Sequence, residues 1–195
     1  TSQYSGLIQY YHGDNSMRFY TNTTEKMRID ASGNVGIGTI PNSGGHSSWA
    51  NLSMGTKGSL ISSTAAGGIY GMLVTDNLYI PQSTGSFAYR TTDEASYYKQ
   101  DAGYHLWYNA PSGSAGAAAT LVERMQLNAS GNLGVGVAPS VWRSYEASID
   151  IGRSSLSTSV GNYSTVGSLL AYNTFINTDG QFTRKATGFS TTYNT

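Results

Sequence analysis

Seventeen residues, EKMRIDASGNVGIGTIP at 25–41, return without a gap as ERMQLNASGNLGVGVAP at 123–139, ninety-eight positions further on. A repeat constrains architecture before local propensity does, because every copy must solve the same packing problem. The likeness runs past the motif. Leu52-Ser53-Met54-Gly55 corresponds to Ile149-Asp150-Ile151-Gly152, and Leu73, Asn77 and Tyr79 correspond to Leu169, Asn173 and Phe175. Phe87 and Phe182 follow, with Arg90 and Arg184 near them. Upstream, Phe19-Tyr20 matches Trp107-Tyr108 at a shorter spacing, so the second copy carries an insert at 111–120. Its small and turn-forming residues suit a surface loop. The chain thus holds the end of one repeat with its hairpin motif (1–40), a complete repeat (41–138) and the start of a third (139–195). It reads as a fragment of a longer chain.

The motif reads as a β-hairpin. Met27 and Ile29 alternate with polar neighbours, the period-2 pattern of a half-buried strand. Ala31-Ser32-Gly33-Asn34 makes the turn, with Gly33 at positive φ. Val35 and Ile37 then alternate with Gly36 and Gly38. The second copy keeps each feature in Met125, Leu127, Gly131, Leu133, Gly134, Val135 and Gly136. Glycine weakens a strand, so its recurrence implies a backbone or an aromatic ring lying close. A lone hairpin is not stable, so the apolar face needs the rest of the repeat or another chain.

Composition agrees. The chain is rich in Gly, Ser, Thr, Asn and Tyr, which favour turns and strands over helices. Short strands are expected at 71–74, 77–80, 86–90, 104–108 and 181–184. The stretch 117–126, AAATLVERMQ, has helical propensity, but the repeat makes its second half a strand. Only 11% of residues are charged, and eleven bases cancel eleven acids. A nucleic-acid binder would carry a basic excess. No apolar run is long enough for a membrane-spanning helix, and no cysteine is present for a disulfide or a thiolate site.

The two motif copies resemble the "ERMRIDSSGNVGIGT-x-P" signature that recurs in tail-fibre proteins of tailed bacteriophages, often upstream of an intramolecular chaperone. Met17-Arg18-Phe19-Tyr20-Thr21-Asn22 and the stretch 167–195 are similar to the surroundings of that signature. The resemblance implies an all-β chain of short antiparallel strands and hairpins in tandem repeats, intertwined as a parallel homotrimeric fibre. It implies an extracellular virion component that contacts other tail proteins and a host-surface polysaccharide or protein, with no nucleic acid and no membrane insertion.

Paired carboxylates would signal a polysaccharide-cleaving tail spike. Asp76, Asp93, Glu94, Asp101 and Glu146 are scattered, and the adjacent pair Asp93-Glu94 would face opposite sides of a strand. His12, His46 and His105 lack metal-ligand spacing. The expectation is therefore no catalytic residue, no metal site and no cofactor. Aromatic side chains are the binding candidates, since Tyr and Trp faces stack on sugar rings. Trp49 and Trp142 recur after each motif and read as packing residues. Tyr97, Tyr98 and Tyr104 lie in a polar segment and are the candidate glycan contacts. The leading expectation is a structural and adhesive fibre segment. The alternatives are a polysaccharide-cleaving spike domain and a bacterial surface adhesin module.

Overall fold

The structure, a computed structural model, describes residues 5–41, 49–63, 71–81, 85–141, 146–159, 169–172, 174–176, 182–185 and 191–194. The chain is all-β, with nineteen strands and no helix among the described residues. It divides into two units, Thr1–Asp101 with Asn109–Val122, and Ala102–Tyr108 with Glu123–Thr195. The first unit contains β1 (Gly6–Tyr11), β2 (Ser16–Thr21), β3 (Thr24–Ile29), β4 (Val35–Ile37), β5 (Trp49–Met54), β6 (Gly58–Ser63), β7 (Met72–Asp76), β8 (Leu78–Tyr79), β9 (Ala88–Tyr89) and β10 (Asp93–Asp101). Its sheet runs β1-β2-β3-β4-β5-β6-β7-β10, with β8 and β9 set apart as a small hairpin. The next strand, β11 (Tyr104–Gly113), is divided between the units at Asn109. The second unit continues with β12 (Val122–Leu127), β13 (Leu133–Val135), β14 (Glu146–Ile151), β15 (Ser154–Ser159), β16 (Leu169–Tyr172), β17 (Thr174–Ile176), β18 (Phe182–Arg184) and β19 (Thr191–Asn194). There the order is β12-β13-β14-β15-β16-β19, and β17 pairs with β18 separately.

Strands recur as residues do. β3–β4 returns as β12–β13, β5–β6–β7 as β14–β15–β16, and β8–β9 as β17–β18. The ladders within each unit are antiparallel except at two equivalent places, β4 beside β5 and β13 beside β14, which are parallel. Val35 opposes Leu52 and Leu133 opposes Ile149, so both copies use one register.

The motif turn is built by its side chains. Asp30 Oδ1 accepts from the amides of Ser32 and Asn34, each at 2.9 Å. In the second copy Asn128 Oδ1 accepts from Ser130 and Asn132 at 3.0 and 2.9 Å. Such a short polar side chain mimics a backbone turn. Gly33 and Gly131 then sit at φ +82° and +83°. The buried Asn34 reaches onward, its Oδ1 accepting from the Asn51 amide at 3.1 Å. Asn132 does the same for the Ser148 amide, also at 3.1 Å. One amide side chain thereby links each hairpin to the strand that runs parallel to it.

The glycines divide into two roles that alternation alone had merged. Gly38 and Gly136 lie just beyond the strands, at φ +66° and +67°. There they turn the chain and donate to Lys26 O and Arg124 O, each at 2.8 Å. Gly36 and Gly134 are strand residues, and both are buried. A Cβ on Gly36 would overlap the Thr39 carbonyl and Pro41 Cδ, and one on Gly134 would overlap the Val137 carbonyl and Pro139 Cδ. The backbone lying close is thus the chain itself, doubling back over its own strand.

That crossing lies on the buried face of the sheet. In the first unit this face carries Ser53, Ser59, Ile61, Leu73 and Thr75, all nearly without solvent contact. The β8–β9 hairpin belongs to the same core through buried Leu78, Ala88 and Tyr89. Asn77, buried at φ +58°, starts it. Its side chain bonds the Thr91 amide and hydroxyl, each at 2.8 Å, and the Thr91 and Glu94 carbonyls at 3.1 and 2.9 Å. All four polar valences of a buried amide are thereby met. The insert at 111–120 is largely exposed but anchored, since Tyr89 N donates to Ala117 O and Ala119 N to Phe87 O, at 3.1 and 2.9 Å. Nearby, β10 is a nine-residue strand that buries Ala95 and Tyr97, where the sequence read as a polar segment.

Replacing Gly36 or Gly134 with Ala should cost about 2–3 kcal/mol, because the new methyl must displace backbone. Gly33→Ala, with open space but a left-handed backbone, should cost about 1 kcal/mol. Urea denaturation of the three variants measures the order. An unchanged midpoint for Gly36→Ala would contradict the close crossing.

Candidate functional site

The apolar side chains of the motif line the other face of the sheet. Cross-strand partners share a face, and the registers bring Met17, Ile29, Val35 and Leu52 into one row. That row continues through Leu60 and Val74 to Tyr98 on β10. A second row holds Phe19, Met27, Ile37 and Met54. These rows are solvent-facing: Val74 is 46% exposed, and Ile8, Ile37, Met54 and Met72 are exposed as well. The second unit repeats the pattern. Leu127, Leu133, Ile149, Leu156 and Leu170 form one row, with Met125, Val135 and Ile151 beside it. Ile151 is 60% exposed.

Both faces of the sheet are therefore apolar in part: the covered face combines Ser53, Ser59 and Gly36 with Ile61, Leu73 and Tyr97, and the other carries half-buried to exposed aliphatic rows. Continuous exposed aliphatic rows make this face the candidate interaction surface. Each copy has a shallow trough at the same place on this face. In the first unit it lies between Gly33, Val35, Leu52 and Leu60, and in the second between Gly131, Leu133, Ile149 and Leu156.

The three candidate glycan-contact tyrosines do not form one patch. Tyr97 is buried, 8% exposed, with its ring stacked on Phe87 at 5.0 Å. It is a core residue, because strand alternation turns it to the covered side. Tyr98 therefore points to the opposite, aliphatic face, where it is half-buried opposite Val74. Tyr104 belongs to the second unit and is 37% exposed. Trp49 is half-buried on β5, while Trp142 lies outside the described residues.

The carboxylates are mostly engaged in ion pairs. Asp93 pairs with Lys57, and hydrogen bonding by Glu94 together with this ion pair holds its carboxyl far below the usual range. Asp101 meets Lys99 at 2.8 Å. Arg28 grips Glu25 through two hydrogen bonds of 2.5 and 2.7 Å, which lower the carboxyl's pKa against its partial desolvation. In the second copy Tyr108 donates to Glu123 at 2.7 Å. Glu94 and Asp76 are exposed, and the side chain of Glu146 lies outside the described residues. His12 packs edge-on against Tyr10, His105 is half-buried, and His46 lies outside the described residues. Among the described residues no three acids or histidines are grouped to hold a metal ion.

A pair of equivalent cations, which motif reading did not reveal, lies on the covered face. Arg90 follows β9 directly and Lys185 follows β18 directly. Pairing Leu78 with Tyr89, and Thr174 with Arg184, makes Lys185 the counterpart of Arg90 and Arg184 that of Tyr89. Lys185 Nζ meets Asp150 Oδ1 at 2.7 Å. Asp150 is 0% exposed and also accepts from Ser155 Oγ at 2.6 Å and the Ser140 amide at 2.7 Å. Burial alone would raise the Asp150 pKa, but the hydrogen bonds from Lys185, Ser155 and Ser140 prevail and lower it. Arg90 has Ser53 where Lys185 has Asp150, since Ser53 opposes Gly36 as Asp150 opposes Gly134. Its Nε donates to Leu78 O at 2.9 Å, and its Nη2 donates to Ser53 Oγ and Ser59 Oγ at 3.2 and 2.6 Å. No carboxylate pairs with it among the described residues, and desolvation pulls its pKa below the ordinary arginine value.

A carboxyl whose folded pKa is depressed contributes stability above its unfolded pKa, about 3.9, and loses it as pH falls through the folded value. Asp150→Asn should therefore cost about 3 kcal/mol at pH 7, by stranding Lys185. The cost should shrink as pH falls below about 4, where the unfolded carboxyl protonates, and vanish once pH passes the lower folded pKa. Thermal denaturation across a pH series tests this, and a cost independent of pH would contradict the ion pair. In comparisons with known proteins, no family model, no curated protein and no solved structure matches the chain.

Proposed function

We propose that the chain is a structural and adhesive segment of a phage tail fibre, which associates with two further copies of itself through its aliphatic sheet face. The observation that carries this reading is the open apolar face, built in one register by both repeats. A chain that places its motif valines, leucines and isoleucines toward solvent twice over has a surface suited to burial against another copy. Burying each such side chain contributes about 1.5–3 kcal/mol. The motif's likeness to the tail-fibre signature supplies the homotrimer, the virion setting and the partners. These are other tail proteins along the fibre and a host-surface polysaccharide or protein at the point of contact. Several fibres on one virion would then raise weak individual contacts to firm attachment.

Light scattering on the purified chain tests the reading. A mass of three chains is expected across a range of concentrations. Ile37→Asp combined with Val135→Asp should reduce that mass while leaving the strand signal in circular dichroism. A wild-type chain that stays monomeric at all concentrations would refute self-association through this face.

A further inference from the structure

The first unit contains a cleft of about 460 Å³ lined by Arg90, Tyr79, Tyr89, Thr56, Ile40 and Pro41. Its size is that of a small-ligand site. We propose that this cleft binds the carboxylate of an acidic sugar residue, such as a hexuronic acid, with Arg90 as the anion-binding group.

The second repeat shows what belongs beside this cation. At the equivalent place the chain supplies its own carboxylate, Asp150, against Lys185. In the first repeat a serine stands there, and the cation is arginine. Ser53 and Ser59 orient the guanidinium from one side and leave its charge uncompensated. The Nη1 group makes no hydrogen bond among the described residues, so two N–H donors remain for an incoming oxyanion. A partly buried guanidinium without a counter-charge carries a desolvation cost that an anion relieves. Charge-assisted bonds from arginine to carboxylate are among the strongest in proteins.

The rest of the cleft suits a sugar ring better than a bare ion. Tyr79 is half-buried and lines the cleft with Arg90. Tyr89, 4% exposed, is fixed in the wall of the cleft by its hydroxyl, which donates to Pro111 O at 2.6 Å. Ile40 and Pro41, the Tyr79 phenol and the Arg90 cation give apolar contact, a hydroxyl partner and charge together, which is what a uronic acid presents. The inference uses one chain's geometry and does not depend on self-association.

Binding of methyl glucuronide, methyl glucoside and inorganic phosphate to the 195-residue chain, followed by NMR or calorimetry, tests it. The glucuronide should bind with a Kd on the order of 1 mM, and the glucoside at least about tenfold more weakly. Arg90→Gln should remove glucuronide binding. Because that variant could also loosen the fold, Ser53→Asp is the decisive one. It installs the carboxylate of the second repeat, so it should raise the melting temperature while weakening glucuronide at least about tenfold. Equal binding of glucuronide and glucoside, no glucuronide binding, or a Ser53→Asp chain that binds as the wild type does would overturn the proposal. Phosphate binding as tightly as glucuronide would overturn the sugar assignment.

Discussion

The fold depends on one link, made twice: an asparagine amide at the end of the hairpin turn that accepts from the backbone of the strand laid parallel to it. Asn34 reaches Asn51, and Asn132 reaches Ser148. A parallel pair has no tight turn to set its register, and a slip of one residue would exchange the two faces of the sheet. The amide removes that freedom. With the register held, Val35 lies beside Leu52 and Gly36 beside Ser53. Aliphatic residues fall into rows on one side, and glycine and serine fall on the other.

The covered side follows from that register. Gly36 and Gly134 give the room in which the chain crosses its own strand. Serines beside them are small enough for further backbone to approach, and their hydroxyls are available to the long cations above. Arg90 and Lys185 occupy equivalent positions, but one is neutralised within the chain and the other is not. The two copies thus differ in charge at this place, where Ser53 stands in one and Asp150 in the other.

The open side is the reason the chain reads as incomplete alone. Its small charged fraction leaves few ionic groups to solvate a large surface, and the aliphatic rows take up much of one sheet face. The aliphatic rows and the Arg90 cleft lie on opposite faces of the first unit's sheet. Covering the aliphatic face would leave the Arg90 side untouched.

Repetition, alternation and turn chemistry were legible in the residues. Met27, Ile29, Val35 and their second-copy equivalents mark strands, Gly33 and Gly131 mark turns, and the likeness of 52–55 to 149–152 extends the repeat, although the parallel pairing of these segments with the hairpins was not legible. Each is a local or pairwise signal, readable because a strand alternates with period two and a left-handed turn favours glycine. What tertiary structure decided is which face is covered. Alternation assigns Tyr97 and Tyr98 to opposite sides but does not say that the Tyr97 side is the buried one. It also could not separate Gly36, a strand glycine under a crossing chain, from Gly38, a turn glycine. The cation pair was hidden for the same reason: aligning Arg90 with Arg184 by residue type missed Lys185 by one position. Only the pairing of β17 with β18 placed that lysine against Asp150. Contacts between residues far apart in the chain depend on register and layer order, and those are set when the sheet assembles.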